Sequence, residues 1–337
     1  MFARALLIVA VVACLASPCG LVAAAERGTT IGLVPDAGGF SDRGYNDAAA
    51  AGLRACRAQT GVDVLTGTTK SPADYEPQLT LLTTQNADAI VALGFGMAGD
   101  LDRVARRFEN ARFAIVDAVV NEPNVNSVTF REQDGSFLAG ALAALVSKTK
   151  RVAFLGGSAS PLLERSEAGF VAGARAVDPR VRVAIRYVGS FDDAPAARAV
   201  ADALFAAGSD IAYVVAGRAG RGAFDAVKAR RGDYVIGADV DQDGLVPGKV
   251  LSSVVKRIDT AVLRVCRETA GGKPVSGHVE LGIAEDGIGL TRFRYTARTV
   301  GAPAIARLER IRRAVASGAI VPPASRAALA RFVAAAP

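Results

Sequence analysis

The sequence predicts an α/β protein of two similar lobes, each built on a parallel sheet with helices on both faces. Short apolar runs alternate with Ala-rich amphipathic stretches along most of the chain, which is the pattern of repeated βαβ units. The predicted strands are too many for one ordinary sheet, and the pattern restarts near residue 151. The chain has 337 residues, about twice the usual size of a single domain, which also favours two lobes.

The individual elements are predicted from run length and periodicity. Short apolar runs predict strands at 30–34, 62–65, 89–93, 113–116, 151–155, 181–187, 211–215 and 234–237. Apolar residues at helical spacing predict helices at 46–60, 74–86, 98–109, 135–147, 164–177, 194–207 and 220–231. Two later amphipathic stretches, 258–269 and AIARLERIRRAVASG (304–318), also predict helices.

Five of the predicted strands run into an aspartate or a glycine. Asp36, Asp117 and Asp239 follow three of them, and Gly94 and Gly217 follow two others. Each aspartate taken alone is more often a helix cap or a turn residue. In parallel α/β sheets, however, ligands bind at the carboxyl ends of the strands. Three acids at equivalent places therefore predict one polar cleft.

The first 25 residues, MFARALLIVAVVACLASPCGLVAAA, predict an export signal. They have one early arginine, a short apolar stretch and a closing Ala-Ala-Ala that fits a cleavage site after Ala25. Attachment to lipid through a leader cysteine is the alternative, but neither Cys14, inside the apolar run, nor Cys19, after a proline, has a suitable context. We expect a cleaved signal and a periplasmic protein.

Two cysteines remain after cleavage, Cys56 and Cys266, in the similar contexts LRACRAQTG and LRVCRETAG. In an oxidising compartment such a pair forms either a disulfide or two buried thiols, and it is too sparse for a metal site.

The charge pattern disfavours a nucleic-acid partner. The formal net charge is +7, but basic and acidic residues alternate along most predicted helices. The densest basic runs resemble solvated helix faces, and no aromatic residues interleave them.

The residue inventory also disfavours catalysis. His278 is the only histidine and lies far along the chain from any candidate nucleophile, so a Ser-His-Asp or Cys-His arrangement is not supported. The segment AGRAGRG, 216–222, lacks the Lys-Ser/Thr ending of a phosphate-binding loop. A carboxylate-lined cleft without a nucleophile suits binding of hydroxyl or amine groups, and we expect no metal and no cofactor.

Several motifs, in order, resemble those of the basic membrane protein family, which comprises substrate-binding proteins of ABC transporters related to purine nucleoside receptors. The resemblance covers nearly all of the chain after the leader, and IGADVDQ followed by SSVVK is its most specific part. It rests on DAGGFSDRGYND, VTFREQDGSFLAGALAAL, GFVAGA, YVGSFDD, AGRAGRG, VIGADVDQDG, LSSVVKRID and RIRRAVASGAIVPP. The resemblance implies a type I periplasmic binding fold, two Rossmann-like lobes joined by three crossing segments, with a nucleoside as the usual ligand.

By this resemblance, the turn after the first strand belongs to the ligand cleft. Asp36 would contact the base edge or the ribose, Tyr45 would stack on the base, and Asn46 would hydrogen-bond beside it. Asp42 and Asp47 are instead interpreted as turn and helix N-terminal charges. The family more often has Ser-Phe-Asn where this chain has Gly-Tyr-Asn.

A second departure is at Arg218 and Arg221, where the family commonly has a Gly-Gly-Thr-Gly-like turn. We expect both side chains to point to solvent; the alternative is that one reaches the cleft and selects a more electron-rich or anionic ligand. Gly217 and Gly220 remain, so the backbone can still approach a ligand closely.

Asp117 and Asp239 are expected to converge with Lys256, which follows the apolar run VLSSVV at a proposed crossing. A ribose donates to carboxylates and accepts from an ammonium, so these three residues are candidates for holding the sugar. The alternative is a structural Lys-Asp pair that spans the hinge.

The resemblance also predicts how the chain divides. The N-terminal lobe should contain 28–130 plus 257–287, and the C-terminal lobe 131–256 plus 288–330, with crossings near 131, 256 and 287. Helices 46–60 and 258–269 would then share a lobe, which makes a bridge between Cys56 and Cys266 possible.

The sequence therefore predicts an exported, monomeric solute-binding protein that delivers a nucleoside-like molecule to an ABC permease and is not an enzyme. The first alternative is an extracytoplasmic module that senses a ligand. A nucleoside hydrolase is the second, because clustered acids can also serve catalysis.

Overall fold

The computed structural model of the protein describes residues 28–37, 39–273 and 276–333. The predicted export signal and its cleavage site lie outside these residues. Within them, the chain forms two α/β lobes, each with one six-stranded sheet.

The first lobe contains a fully parallel sheet in the order β11-β5-β4-β3-β1-β2. Its strands are β1 (Thr30–Val34), β2 (Asp63–Thr66), β3 (Ala89–Leu93), β4 (Phe113–Val116), β5 (Val125–Phe130) and β11 (Gly277–Leu281). Its helices are α1 (Tyr45–Thr60), α2 (Tyr75–Thr84), α3 (Ala98–Arg107) and α8 (Ile258–Ala270). The central strands β3 and β4 are buried along their whole length, which is why their sequences are continuous apolar runs.

The second lobe repeats this plan in the order β12-β10-β9-β8-β6-β7, with only β12 antiparallel to its neighbour. Its strands are β6 (Arg151–Gly156), β7 (Arg182–Tyr187), β8 (Ile211–Val215), β9 (Tyr234–Asp239), β10 (Val250–Lys256) and β12 (Ile288–Leu290). Its helices are α4 (Glu132–Val146), α5 (Pro161–Val177), α6 (Ala194–Ala206), α7 (Gly220–Lys228), α9 (Ala297–Val300), α10 (Ala302–Ala316) and α11 (Arg326–Leu329). Helix α10 buries Leu308, Ile311 and Val315 in the core of this lobe.

Three segments cross between the lobes. The first joins β5 to α4 at residue 131, the second joins β10 to α8 at residue 257, and the third joins β11 to β12 over residues 282–287. Two sheets connected in this way form the type I periplasmic binding fold, which confirms the fold class predicted from the resemblance.

Four strands, β5, β10, β11 and β12, were absent from the prediction made from apolar runs. Strand β5, VNSVTF, is buried throughout although it carries polar side chains. Two of those side chains have partners outside the strand: Ser127 Oγ accepts from Val120 N at 3.0 Å, and Thr129 shares a hydrogen bond of 2.7 Å with His278 on β11. A search for apolar runs cannot reveal a strand in which buried polar residues interrupt the apolar ones.

Helix α4 begins three residues earlier than the predicted start at residue 135. Its first three residues, Glu132, Gln133 and Asp134, are polar and nevertheless buried. The earlier start matters because it places the carboxylate of Glu132 at the first crossing.

Helices α1 and α8 are joined by a disulfide between Cys56 and Cys266 in the core of the first lobe. The two Cα atoms lie 6.3 Å apart, within the range that a disulfide requires. The sequence left open a disulfide or two buried thiols, and the structure contains the disulfide.

Replacing both cysteines with alanine should lower the free energy of unfolding by about 2–5 kcal/mol. The bridge links residues 210 positions apart, so the unbridged chain gains conformational freedom when it unfolds. Urea denaturation followed by circular dichroism measures the change, with the dithiothreitol-reduced wild type as a second reference. Equal midpoints for the oxidised wild type and the double variant would contradict the expectation.

Candidate functional site

A cleft of about 430 Å³ lies between the lobes, within the usual size range of small-molecule sites. It is formed where the carboxyl ends of the strands in the two sheets face each other. All eight residues predicted for the site line it: Asp36, Tyr45, Asn46, Gly94, Asp117, Gly217, Asp239 and Lys256.

Asp36 is held in place at the end of β1. Its carboxylate accepts hydrogen bonds from the Ala37 N–H, at 2.8 Å, and from the Tyr75 hydroxyl. Burial raises the pKa of this carboxyl above its usual value, the two hydrogen bonds oppose that shift, and Asp117 adds to it. Gly94 has a φ of +93°, and a Cβ there would lie 2.7 Å from Asp36 Oδ2. Only glycine allows this close approach.

The side chain of Asn46 forms hydrogen bonds within the turn that precedes α1. Its Oδ1 accepts from the Asp36 N–H at 2.8 Å, and its Nδ2 donates to the Gly39 carbonyl at 2.9 Å. The side chain thus borders the cleft while fixing the backbone that presents Asp36.

The other two acids of this turn organise the start of α1. Asp42 accepts from the N–H groups of Gly44 and Asn46, both at 2.8 Å. Asp47 accepts from those of Ser41 and Arg43, also at 2.8 Å. Asp42 and Asp47 of the segment DAGGFSDRGYND therefore share a role in the backbone of the turn, and of its three acids Asp36 and Asp42 border the cleft.

Lys256 lies at the centre of the site, 5% exposed, at the end of β10. Its Nζ is 2.6 Å from Asp117 Oδ2 and 3.4 Å from Glu132 Oε1. Burial by itself would lower the pKa of Lys256, but Asp117, Glu132 and Asp239 outweigh it and raise the pKa above its usual value. The ammonium is therefore charged and holds carboxylates from both lobes together.

Glu132 was not among the predicted site residues. It is 5% exposed, and its Oε2 lies 3.8 Å from Arg165 Nη1. Burial raises the pKa of its carboxyl well above the usual value, and the Lys256 ammonium opposes the shift. In the sequence it lies three residues before the predicted helix 135–147, where no pattern marks it as a site residue.

Asp117 has one carboxylate oxygen without a partner. The residue is 9% exposed, and its Oδ1 is buried with no hydrogen bond from any described residue. Buried acceptors are rarely left unsatisfied, so this atom points to a missing donor. Because Asp117 lines the cleft, a ligand can supply that donor.

Asp239 occupies the corresponding position in the second lobe. Its carboxylate accepts no hydrogen bond from the described residues, and burial raises its pKa while Lys256 lowers it. Asp117 and Asp239 have φ values of +72° and +69°. Aspartate tolerates this left-handed conformation better than most residues, and such strain is concentrated at functional sites.

Aromatic side chains cover the apolar part of the cleft. The Tyr45 hydroxyl donates to the Val116 carbonyl at 3.3 Å, and Lys256 Nζ lies 5.8 Å from the centre of its ring. Phe95 and Phe191, from opposite lobes, meet edge to face with their centres 6.4 Å apart. The two phenylalanines were not predicted as site residues, although both follow predicted strands within short Gly-containing loops.

The two arginines that depart from the family pattern both lie between the lobes. Arg218 borders the cleft and pairs with Asp192 at 2.8 Å, and its side chain is also 38% exposed to solvent. Arg221 is exposed, but its Nη2 donates to the Asp42 carbonyl of the other lobe at 3.0 Å. Arg221 and Asp42 are 179 residues apart, so the local sequence could not show this contact between the lobes.

Two kinds of feature are absent from the described residues. No group of three or more His, Cys, Asp or Glu side chains within 28–37, 39–273 and 276–333 is arranged to hold a metal ion. No helix in this part of the chain has the length and apolar character needed to cross a membrane.

Comparison with known proteins gave consistent matches. A family model described as ABC transporter substrate-binding protein PnrA-like, Bmp, matches residues 29–305. The ABC transporter nucleoside-binding protein BmpA of Lactococcus lactis subsp. cremoris is 32% identical, over 73% of this chain and 76% of that protein. Basic membrane protein D of Borreliella burgdorferi is 31% identical, over 83% of this chain and 82% of that protein.

Among solved structures, an ABC transporter solute-binding protein from Aeropyrum pernix K1 matches with a TM-score of 0.81 and 26% identity, over 90% of this chain and 96% of that chain. A second solute-binding protein, from Conexibacter woesei, matches with a TM-score of 0.71 at 21% identity, over 88% of this chain and 99% of that chain, and supports the fold alone. The chain therefore belongs to the Bmp family of PnrA-like substrate-binding proteins of ABC transporters.

Proposed function

We propose that the cleft binds a nucleoside-like molecule and that the closed protein delivers it to an ABC permease. Substrate-binding proteins of ABC transporters bind small molecules and interact with permeases, and the nucleoside is the finer part of the proposal. The observation that carries it is Oδ1 of Asp117, a buried acceptor without a hydrogen-bond partner among the described residues, on a side chain that lines the cleft.

The charged groups around that acceptor fit a sugar. Asp117 and Asp239 can accept hydrogen bonds from neighbouring hydroxyl groups, and Lys256 can donate to the hydroxyl oxygens. Lys256 also offsets the mutual repulsion of the two acids in a site that is largely removed from water. A pair of vicinal ribose hydroxyls satisfies these requirements.

The rest of the cleft fits a flat base. Tyr45, Phe95 and Phe191 supply aromatic faces and edges, and Asp36, which also lines the cleft, supplies an acceptor. The name of the L. lactis relative, a nucleoside-binding protein, supports the same ligand class.

Ligand capture is proposed to close the two lobes about the three crossings. In this proposal residues 28–130 plus 257–287 move as one unit and residues 131–256 plus 288–330 as the other. The protein is proposed to act outside the cytoplasm as a monomer, and to release its ligand unchanged.

A thermal-shift screen with nucleosides, free bases, sugars and flavins tests the ligand class, because a ligand that binds only the folded state raises the melting temperature. We expect the largest shift with a nucleoside, and calorimetry should then give a saturable one-to-one isotherm. A shift with sugars or flavins alone would contradict the proposal. Release of free base during incubation would instead identify a hydrolase.

Replacing Tyr45 with alanine should weaken nucleoside binding by about 1–3 kcal/mol, the usual contribution of a base stacked on an aromatic ring. Tyr45→Phe should bind nearly normally, because it keeps the ring and loses only the long hydrogen bond to Val116. Calorimetry on both variants makes the measurement. If the alanine variant and the wild type bind equally well, Tyr45 is not part of the base site.

A further inference from the structure

A second cavity, of about 220 Å³, adjoins the cleft. It lies between the turn that precedes α1 in the first lobe and the start of α7 in the second. The two cavities share five lining residues: Asp42, Tyr45, Gly217, Arg218 and Asp239. One ligand bound near Asp239 can therefore extend from the cleft into the second cavity.

Four cationic side chains line the second cavity: Arg43, Arg218, Arg221 and Lys228. Two of them already have acidic partners. Arg218 pairs with Asp192, and Lys228 pairs with Asp225. These two pairs contribute little net charge to the cavity.

The carboxylates of the two other acidic residues that line the cavity, Asp42 and Asp239, interact with groups other than Arg43 and Arg221. The carboxylate of Asp42 accepts main-chain N–H groups at the start of α1, and that of Asp239 faces Lys256 in the cleft. Arg43 and Arg221 thus have no carboxylate within 4.0 Å among the described residues.

These two guanidinium groups come from opposite lobes. Arg221 Nη2 donates to the carbonyl of Asp42, the residue immediately before Arg43, at 3.0 Å. Closure of the lobes therefore brings Arg221 next to the turn that carries Arg43, and both positive charges would favour an anion placed between them. Guanidinium groups are well suited to bind such an anion, since each offers several N–H donors in one plane.

We infer that the second cavity receives an anionic group attached to the ligand, such as the phosphate of a nucleoside 5′-monophosphate, held between Arg43 and Arg221. This inference rests on the proposed nucleoside site and extends it. With the sugar between Asp239 and Lys256, a substituent on the sugar is placed at the boundary that the two cavities share.

Calorimetry at low ionic strength tests the inference with adenosine, guanosine, uridine and their 5′-monophosphates. We expect the monophosphate of the preferred nucleoside to bind about tenfold tighter than the nucleoside itself, with an advantage that falls as salt is added. In the double variant Arg43→Gln/Arg221→Gln, the ratio of the two dissociation constants should approach one. Arg54→Gln, an exposed position on α1 outside both cavities, is the matched control and should keep the wild-type ratio.

Each other outcome decides against the inference. If nucleosides bind but their monophosphates bind no tighter, the second cavity does not take an anion and the nucleoside proposal stands. If the double variant weakens both ligand classes by the same factor, the two arginines act only in lobe closure. If neither class binds, the nucleoside proposal and the inference fail together.

Discussion

Replacing Lys256 with methionine should lower the free energy of unfolding by about 3–5 kcal/mol, because it leaves buried carboxylates without their counter-charge. Asp117 and Glu132, 2.6 Å and 3.4 Å from Nζ, lie on opposite sides of the first crossing. The same change should abolish nucleoside binding, since the sugar loses its cationic donor. Denaturation in urea and calorimetry with the preferred nucleoside measure the two effects.

The pH dependence of this variant gives a sharper test. In the wild type, burial raises the pKa of Glu132 and the Lys256 ammonium lowers it. Without the ammonium, the folded-state pKa of Glu132 rises further above its unfolded value, so protonation stabilises the folded variant. Its stability deficit should therefore shrink as the pH falls from about 8 to about 5.

A triple variant distinguishes the electrostatic effect of losing Lys256 from the effect of losing its packing contacts. Lys256→Met combined with Asp117→Asn and Glu132→Gln also removes the two carboxylates nearest to the ammonium, so only Asp239 loses its counter-charge. This triple variant should recover most of the lost stability at neutral pH while still failing to bind nucleoside. A deficit that persists at low pH and in the triple variant would show that Lys256 matters through packing instead.

Asp239→Asn should weaken nucleoside binding by about 10- to 100-fold, the effect of losing a charged hydrogen bond to the ligand. Folding stability should be unchanged or higher, because the variant removes a buried carboxylate whose pKa is already raised by burial. Asparagine is preferred to alanine here because it also tolerates the left-handed backbone at φ +69°.

The matched control is Asp241→Asn, the same change two residues further on at an exposed position outside both cavities. It should bind nucleoside with wild-type affinity. If Asp239→Asn binds as well as this control, the sugar lies elsewhere in the cleft.

The convergence of Asp36, Asp117 and Asp239 could be predicted because the geometry of parallel sheets is regular. Once the apolar runs are identified as strands, their carboxyl ends must lie along one edge of each sheet. The aspartates and glycines that follow them then lie near the cleft whatever the details of packing. The disulfide could be predicted only as a possibility, because the pairing of α1 with α8 depends on the return of the chain to the first lobe.

Other parts of the site depend on contacts that no local pattern encodes. Glu132 lies before the predicted start of its helix at residue 135, and only the crossing at residue 131 brings it to Lys256. Tyr75 reaches Asp36 from a helix 39 residues away. The roles of Arg218 and Arg221 depend on how far the lobes close, which the sequence of either lobe alone does not specify.

The bridge between Cys56 and Cys266 also protects the molecule against a break in its backbone. The covalent loop that it closes runs from α1 to α8 and includes every element from β2 to β10. A protease that cuts one exposed peptide bond anywhere in this loop therefore produces two fragments that stay joined. Such nicked protein should migrate near full length on a non-reducing gel and separate into two bands only after reduction. A single proteolytic event in most of the chain thus leaves both walls of the cleft attached to each other.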